Sequence, residues 1–347
     1  MRPIRKVLLG IVLLAAIAAT YVLVKFRAFV VPVVTTLTHR VGAIDVYGIG
    51  DSNLEEIRAK LPVREGDFSA RLHFGQGRNA AFEQATGHTP VYVAPICCDE
   101  RNREWIFIGL GGVEVQPSPA PTGTEILSQP LLDLYNELFL GLFSSISRGN
   151  ALEEHSTGYA LSKDPELRAI QLRMRETALR HEQELYTIAA QSAAATSRAA
   201  AVHFLGYAQR SPRQISALGS AARDADQNVR NNATRALSVL LEAFPGDSKA
   251  LDLDYFLDLM NSPIWTDRNK ASMLLEQISR TRVRAILDRM QAKSREAFVE
   301  MARWKSPHRQ AAVQILARIG GMDESSLLDK TQHGLLDEIL ETALRPK

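Results

Sequence analysis

Residues 229–237 read VRNNATRAL, a stretch without a nucleophile, a metal-ligand pair or a phosphate loop. Its skeleton, Arg-x-x-Ala-x-x-x-Leu, is written four times: Arg198/Ala201/Leu205, Arg230/Ala233/Leu237, Arg268/Ala271/Leu275 and Arg309/Ala312/Leu316. The arginines stand 32, 38 and 41 residues apart, inside the period range of stacked supersecondary units. Ala and the Leu four positions later share one helical face, so a neighbouring helix can approach over the Ala while the Leu fills the gap. Second helices fall between the four segments: PRQISALGSAA, SKALDLDYFLDLM, and TRVRAILDRMQ with REAFVEMARW. Polar residues suited to cap the first helices precede three of them, at Asp226, at Thr266 or Asp267, and at Ser306. A helix pair of this kind can bury its apolar side only against the next pair, which makes the carboxy-terminal part, residues 195–345, an expected α-solenoid.

This pattern resembles the HEAT repeat, in particular bilin-lyase-type HEAT-like repeats, over residues 195–325. The strongest match is ISALGSAARDADQNVRNNATRAL, residues 215–237. The resemblance implies a ladder in which Arg230 and Arg268 bond acceptors in the adjacent unit, with Asp226 and Asp267 as capping partners. Arg198 and Arg309 depart from the pattern, because neither has the preceding Asp. The phrase is thus read as structural, and as no ligand signature.

Working outward, the amino terminus is read as a targeting segment. Arg2, Arg5 and Lys6 precede an uncharged run from Val7 to Val24. Eighteen helical residues span about 27 Å, close to a hydrocarbon core of roughly 30 Å. Residues 1–30 are expected to be a signal-anchor; Ala16-Ile17-Ala18 leaves a cleaved signal peptide as the alternative. The charge distribution favours a cytoplasmic amino terminus and a bulk outside the cytoplasm, anchored in an inner membrane or, if cleaved, released to the periplasm. The side-by-side Cys97 and Cys98 are expected as two unpaired thiols, with a vicinal disulfide the alternative.

Residues 41–113 form a small α+β unit in the order β-α-α-β-β. VGAIDVYGIG alternates as a strand, DSNLEEIRAKL follows as a helix with Ser52 or Asp51 as N-cap, and Arg78–Thr86 is a weaker helix. TPVYVAPI and EWIFIGLGG read as a hairpin about the polar turn Asp99–Arg103. With IDVYGIGDSNLEEIRAKLPVREGD this order resembles the POTRA domain of envelope proteins, which implies a sheet edge able to dock a peptide strand. Residues 114–130 are a Pro-rich linker expected to be extended and solvated. Residues 131–194 are connecting helices. LLDLYNELFLGLFSSIS is apolar almost all round, with Asp133 and Glu137 favouring cover by protein. A helix from Asp164 is expected to run on through Gln191. The fold class is α+β, mainly α.

Candidate chemistry is sparse. HFGQGRNA, residues 73–80, imitates a dinucleotide loop but is followed by a hairpin and no parallel crossover, so it reads as a loop. His181-Glu182-Gln183-Glu184-Leu185 starts like a zinc-protease helix without the second His. Glu153-Glu154-His155, near Ser156 and Tyr159, has the composition of an acid/base cluster but reads as a charged helix cap. No catalytic, cofactor-binding or metal site is assigned, and no cofactor is implied. A net charge of +2 gives no global argument for nucleic acid. From Arg198 to Arg318, 19 Lys/Arg stand against 12 Asp/Glu, with SRTRVRAILDRMQAKSR at residues 279–295, yet exclusion from the cytoplasm argues against a phosphate backbone as partner. The expected function is a non-enzymatic, membrane-anchored scaffold with a protein partner; a cofactor-handling HEAT protein is the alternative, followed by nucleic-acid binding.

Overall fold

The computed structural model describes residues 39–49, 53–70, 72, 78–111, 115–150 and 152–345. The expected targeting helix and the Gly75-x-Gly77 loop lie outside them. Among the described residues no helix is long and apolar enough to cross a membrane. The chain divides into two compact units, the first reaching Val46 and then running from Ser52 to Ile108, the second comprising Tyr47–Asp51 and Gly109–Lys347.

The small unit is built on a three-stranded sheet in the order β1 (Arg40–Tyr47), β3 (Arg103–Leu110), β2 (Val91–Ile96). Ile106, Phe107 and Ile108 of central β3 are each 0% exposed, so this strand is covered on both faces. Between β1 and β2 run α1 (Leu54–Lys60) and α2 (Arg78–Thr86). Asn53, rather than Ser52 or Asp51, caps α1: its side chain accepts from the Glu55 and Glu56 amides. That choice leaves Ile57 buried and Glu55 and Glu56 in the first turn, where a helix dipole favours acids. The turn between β2 and β3 is held by Asp99 Oδ1, which accepts from the Arg101 and Arg103 amides at 2.9 and 2.8 Å. Segment 66–69 pairs along β1, with Val41 N donating to Asp67 O and Gly66 N to Val41 O, both at 2.8 Å. Cys97 and Cys98 are joined to each other by a disulfide, which corrects the expectation of two free thiols.

The second unit is helical. After α3 (Gln129–Ser147) comes a two-residue ribbon, β4 (Glu153–Glu154) antiparallel to β5 (Leu161–Ser162). The long helix expected from Asp164 breaks at His181 (φ −111°, ψ 19°) into α4 (Pro165–Arg180) and α5 (Glu182–Gln191). Then follow α6 (Ala195–Leu205), α7 (Pro212–Ala221), α8 (Gln227–Ala243), α9 (Leu253–Leu259), α10 (Trp265–Ser279), α11 (Arg284–Ala302), α12 (Gln310–Ile319), α13 (Glu324–Gln332) and α14 (Leu336–Leu344). Helices α6, α8, α10 and α12 lie side by side in chain order, and α14 follows α12. Each is backed by the helix before it in sequence, α5 on α6, α7 on α8, α9 on α10 and α11 on α12. This arrangement is compatible with a helical solenoid.

The repeated Ala and Leu positions form the seam. Ala201, Leu205, Ala233, Leu237, Ala271, Leu275 and Ala312 are each 0% exposed and Leu316 is 2% exposed. Gly206, at the end of α6, marks how near the next helix comes, because a Cβ there would sit 3.0 Å from that of Ala236. The Pro-rich segment is extended and largely exposed, and it is also attached along its length. Gly123 bridges Ser192, Gly123 N donating to Gln191 O and Ala193 N to Gly123 O, each at 2.8 Å. Leu127 is buried, and its amide donates to Ser197 Oγ. On α3 the cover expected from protein is incomplete: Phe139, Leu140, Phe143 and Ile146 are exposed.

Candidate functional site

The register that buries Ala and Leu dictates what the opposite side of each helix displays. At 100° per residue, the position two after each Ala lies about 200° round the helix, and so does the position two after each Leu. Those positions are His203, Arg235, Met273 and Gln314, then Val239, Gln277 and Arg318, with Tyr207 just past the end of α6. Arg235, Val239, Met273, Gln277 and Gln314 line one groove of about 270 Å³ across α8, α10 and α12. His203 and Tyr207 line the adjoining small cavity, also with Arg235 and Val239. The ribbon β4 adds Glu153 and, just after it, His155 to the groove.

Glu153 sits at the centre of an ion-pair chain. It accepts from Arg235 and, at 3.1 Å, from Gln171 Nε2, and lies 3.7 Å from His155 Nε2. His155 Nδ1 and Glu242 Oε2 of α8 are hydrogen-bonded at 2.8 Å. Burial alone would raise the Glu153 carboxyl, but the Arg235 charge and His155 outweigh it and hold it at about 2. Burial also works against a charged His155, yet the neighbouring Glu153 carboxylate and the Glu242 hydrogen bond lift its pKa to about 9. The His155 bond in turn lowers Glu242. These residues are no helix cap, contrary to the sequence reading. Farther along, buried Glu276 Oε1 accepts from Arg280 Nε at 2.9 Å and from Arg318 Nη1 at 2.8 Å.

Beside this chain stand bases whose proton affinity is lowered. Burial pushes His203 down to about 3, the Arg235 charge adding to it. Half-buried Lys270 is lowered to about 8, first by burial and then by repulsion from Arg235. Its Nζ reaches the Met273 Sδ at 3.8 Å and, among the described residues, no carboxylate. His308 is lowered to about 4 by burial and by Lys270.

The repeated arginines occupy the loop end of the helices. Arg198 forks onto Asp224 through Nε and Nη2, both at 2.7 Å, while Nη1 donates to the carbonyls of Ser192 and Ala193. Arg230 repeats the device, with Asp267 at 2.9 and 2.8 Å and the carbonyls of Asp224 and Ala225. Arg268 donates to Ser262 O at 3.3 Å and pairs with Glu300 of α11. Asp226 caps α8, accepting from the Asn228 and Val229 amides. Asp267 does not cap: the N-cap of α10 is Ile264, and Asp267 lies inside the first turn with its carboxylate on Arg230 and on Ser262 Oγ at 3.1 Å. Arg309 differs from the other three, pairing with exposed Asp337 at 2.7 Å. Within α12 the fully buried guanidinium is Arg318.

Sequence reading missed the groove, Arg235, Lys270, Glu242 and Glu276. For Arg235 the signal existed in the register itself, because the face opposite a buried Ala/Leu stripe follows from helical periodicity. Comparison with known proteins finds no matching family model and no match among curated proteins.

Proposed function

We propose that this protein is a non-enzymatic scaffold, anchored by its amino-terminal apolar segment with its bulk outside the cytoplasm, whose HEAT-type array docks an extended segment of a partner protein. The observation that carries the reading is the groove built from equivalent positions of α8, α10 and α12. Neutral amide side chains, Asn269, Gln277, Gln310 and Gln314, line it beside charges that are paired within the chain. Side-chain amides offer both donors and acceptors and so suit a peptide main chain. Engaged charges suit docking better than proton transfer, which needs a group poised to change protonation in the reaction. The β-α-α-β-β order supports a POTRA-type reading of the small unit. There, β2 is the sheet edge to which a strand would add, since segment 66–69 lies along β1.

Photo-crosslinking in native membranes tests the docking claim. Full-length protein carrying a photoreactive residue at Gln277 or Gln310 should form an adduct with one and the same protein, and none from exposed Arg295 on α11. Adducts absent at both groove positions, or equal at Arg295, would overturn it. A reporter fused after Arg40 tests the topology: activity confined to the cytoplasm would refute the anchored, extracytoplasmic arrangement. One observation favours a cofactor-handling alternative, the Glu153–His155–Glu242 chain beside Lys270. A chromophore co-purifying with wild type and lost in Lys270→Ala would select it.

A further inference from the structure

In the small unit, Cys97 and Cys98 follow β2 and lead directly into the turn held by Asp99. His39 stands beside them, with Cys98 Sγ 3.9 Å from its Nδ1 and 4.0 Å from its Nε2. The three residues can each offer one ligand atom within 4.8 Å of the others. His39 is buried and fixed at both ends. Its carbonyl accepts from the Ser69 amide at 3.0 Å and from Ser69 Oγ at 3.2 Å, and its Nδ1 is 3.0 Å from Oε1 of Glu104, which is 2% exposed. A proton on Nδ1 donated to Glu104 leaves the Nε2 lone pair available, the arrangement by which a carboxylate orients and strengthens a metal-binding histidine. Cys97 is exposed, which gives a cation a way in from solvent.

We propose that this cluster is a redox-gated site for a thiophilic divalent cation of the Zn²⁺ type, closed while Cys97 and Cys98 are joined and opened when they are reduced. The disulfide holds both sulfurs on the histidine side and denies them to a metal, because only a thiolate binds one strongly. Reduction by a dithiol opens the site: two electrons break the Cys97–Cys98 bond, two protons complete the thiols, and the donor closes its own disulfide. The cation then takes the two sulfurs and His39 Nε2, and each thiol gives up one proton to solvent. Tetrahedral zinc sets sulfur and nitrogen ligands about 3.5 Å apart and two sulfurs about 3.8 Å apart, so Cys98 Sγ moves about half an ångström toward Nε2 while the two sulfurs, released from their bond, separate. Three protein ligands leave a fourth position to solvent. Nothing in this proposal depends on the docking groove, which lies in the other unit.

The test uses the full chain in detergent, reduced with a phosphine so that no competing thiol is added. Zn²⁺ uptake is followed by equilibrium dialysis, and thiol cover by the rate of iodoacetamide labelling read by mass spectrometry. Reduced wild type should take one Zn²⁺ more than the oxidised protein, and Zn²⁺ should slow labelling of both cysteines at least tenfold. The Cys97→Ser/Cys98→Ser variant should lose that extra equivalent, and Glu104→Gln should weaken it by about 10–100-fold. Equal uptake by oxidised and reduced protein, uptake that survives in the double variant, or labelling of reduced wild type unaffected by Zn²⁺ would each overturn the site. The labelling measurement needs no variant, so a substitution that impairs folding leaves the proposal falsifiable.

Discussion

Arg230 and Asp267 are both buried, and every guanidinium nitrogen donates: Asp224 O and Ala225 O take Nη1 while Asp267 takes Nε and Nη2. Truncating one partner of such a pair leaves an uncompensated charge, at a cost of about 3–5 kcal/mol. Asp267→Ala should therefore lower unfolding free energy by about that amount in chemical denaturation. Asp226→Ala removes a half-buried cap without breaking a buried ion pair and should cost about 1 kcal/mol; equal losses for the two would contradict their different roles. The histidines give opposite pH signatures. His155, raised to about 9, adds stability that is complete below its unfolded pKa of about 6.5 and disappears as pH rises through 9. His203 and His308, lowered to about 3 and 4, resist protons that the unfolded chain accepts, so stability falls as pH drops below about 6.5. Thermal melts from pH 4 to 9.5 should show both limbs, and His155→Gln should flatten the alkaline one alone.

At the scale of the element, α6 to α12 owe their spacing to small residues. Ala233 is fully buried where α8 meets its neighbours, and Ala233→Trp should overpack the seam by at least about 1–3 kcal/mol, seen as a lower Tm; an unchanged Tm would refute the seam. Helices of this kind are legible because Ala, Leu and Arg recur at one offset, and periodicity survives any tertiary context. The candidate site was legible only in part. Arg235 and Gln277 follow from the same periodicity, but Glu153 and His155 reach the groove from a ribbon of two-residue strands, too short to show alternation. The break at His181 has no Pro or Gly to announce it, so it is set by packing and not by local preference. The Cys97–Cys98 bond was misjudged for a related reason: neighbouring Cα atoms discourage such a bond in general, and only the local backbone decides.

For the whole molecule, the arginine forks run forward along the chain, Arg198 to Asp224 and Arg230 to Asp267, so each unit is completed by the one after it. A chain ending at Leu259 would remove Asp267 and α10 together. Hydrogen exchange should then show the α8 amides losing protection while those of α5 and α6 keep it, because Arg198 retains its partner. Uniform loss or uniform retention would contradict nearest-neighbour stability. The segment around Gly123 has a different consequence. It crosses the start of α6, and a Cβ at Gly123 would stand 2.5 Å from Gln191 O, so only glycine lets the strand lie that close. A protease must draw an extended stretch of chain into its cleft before it can cut, and this strand is stitched down by its own main chain. Exposed loop segments are the usual sites of nicking; here the enzyme should find no slack, and the native chain should emerge uncut between residues 118 and 127.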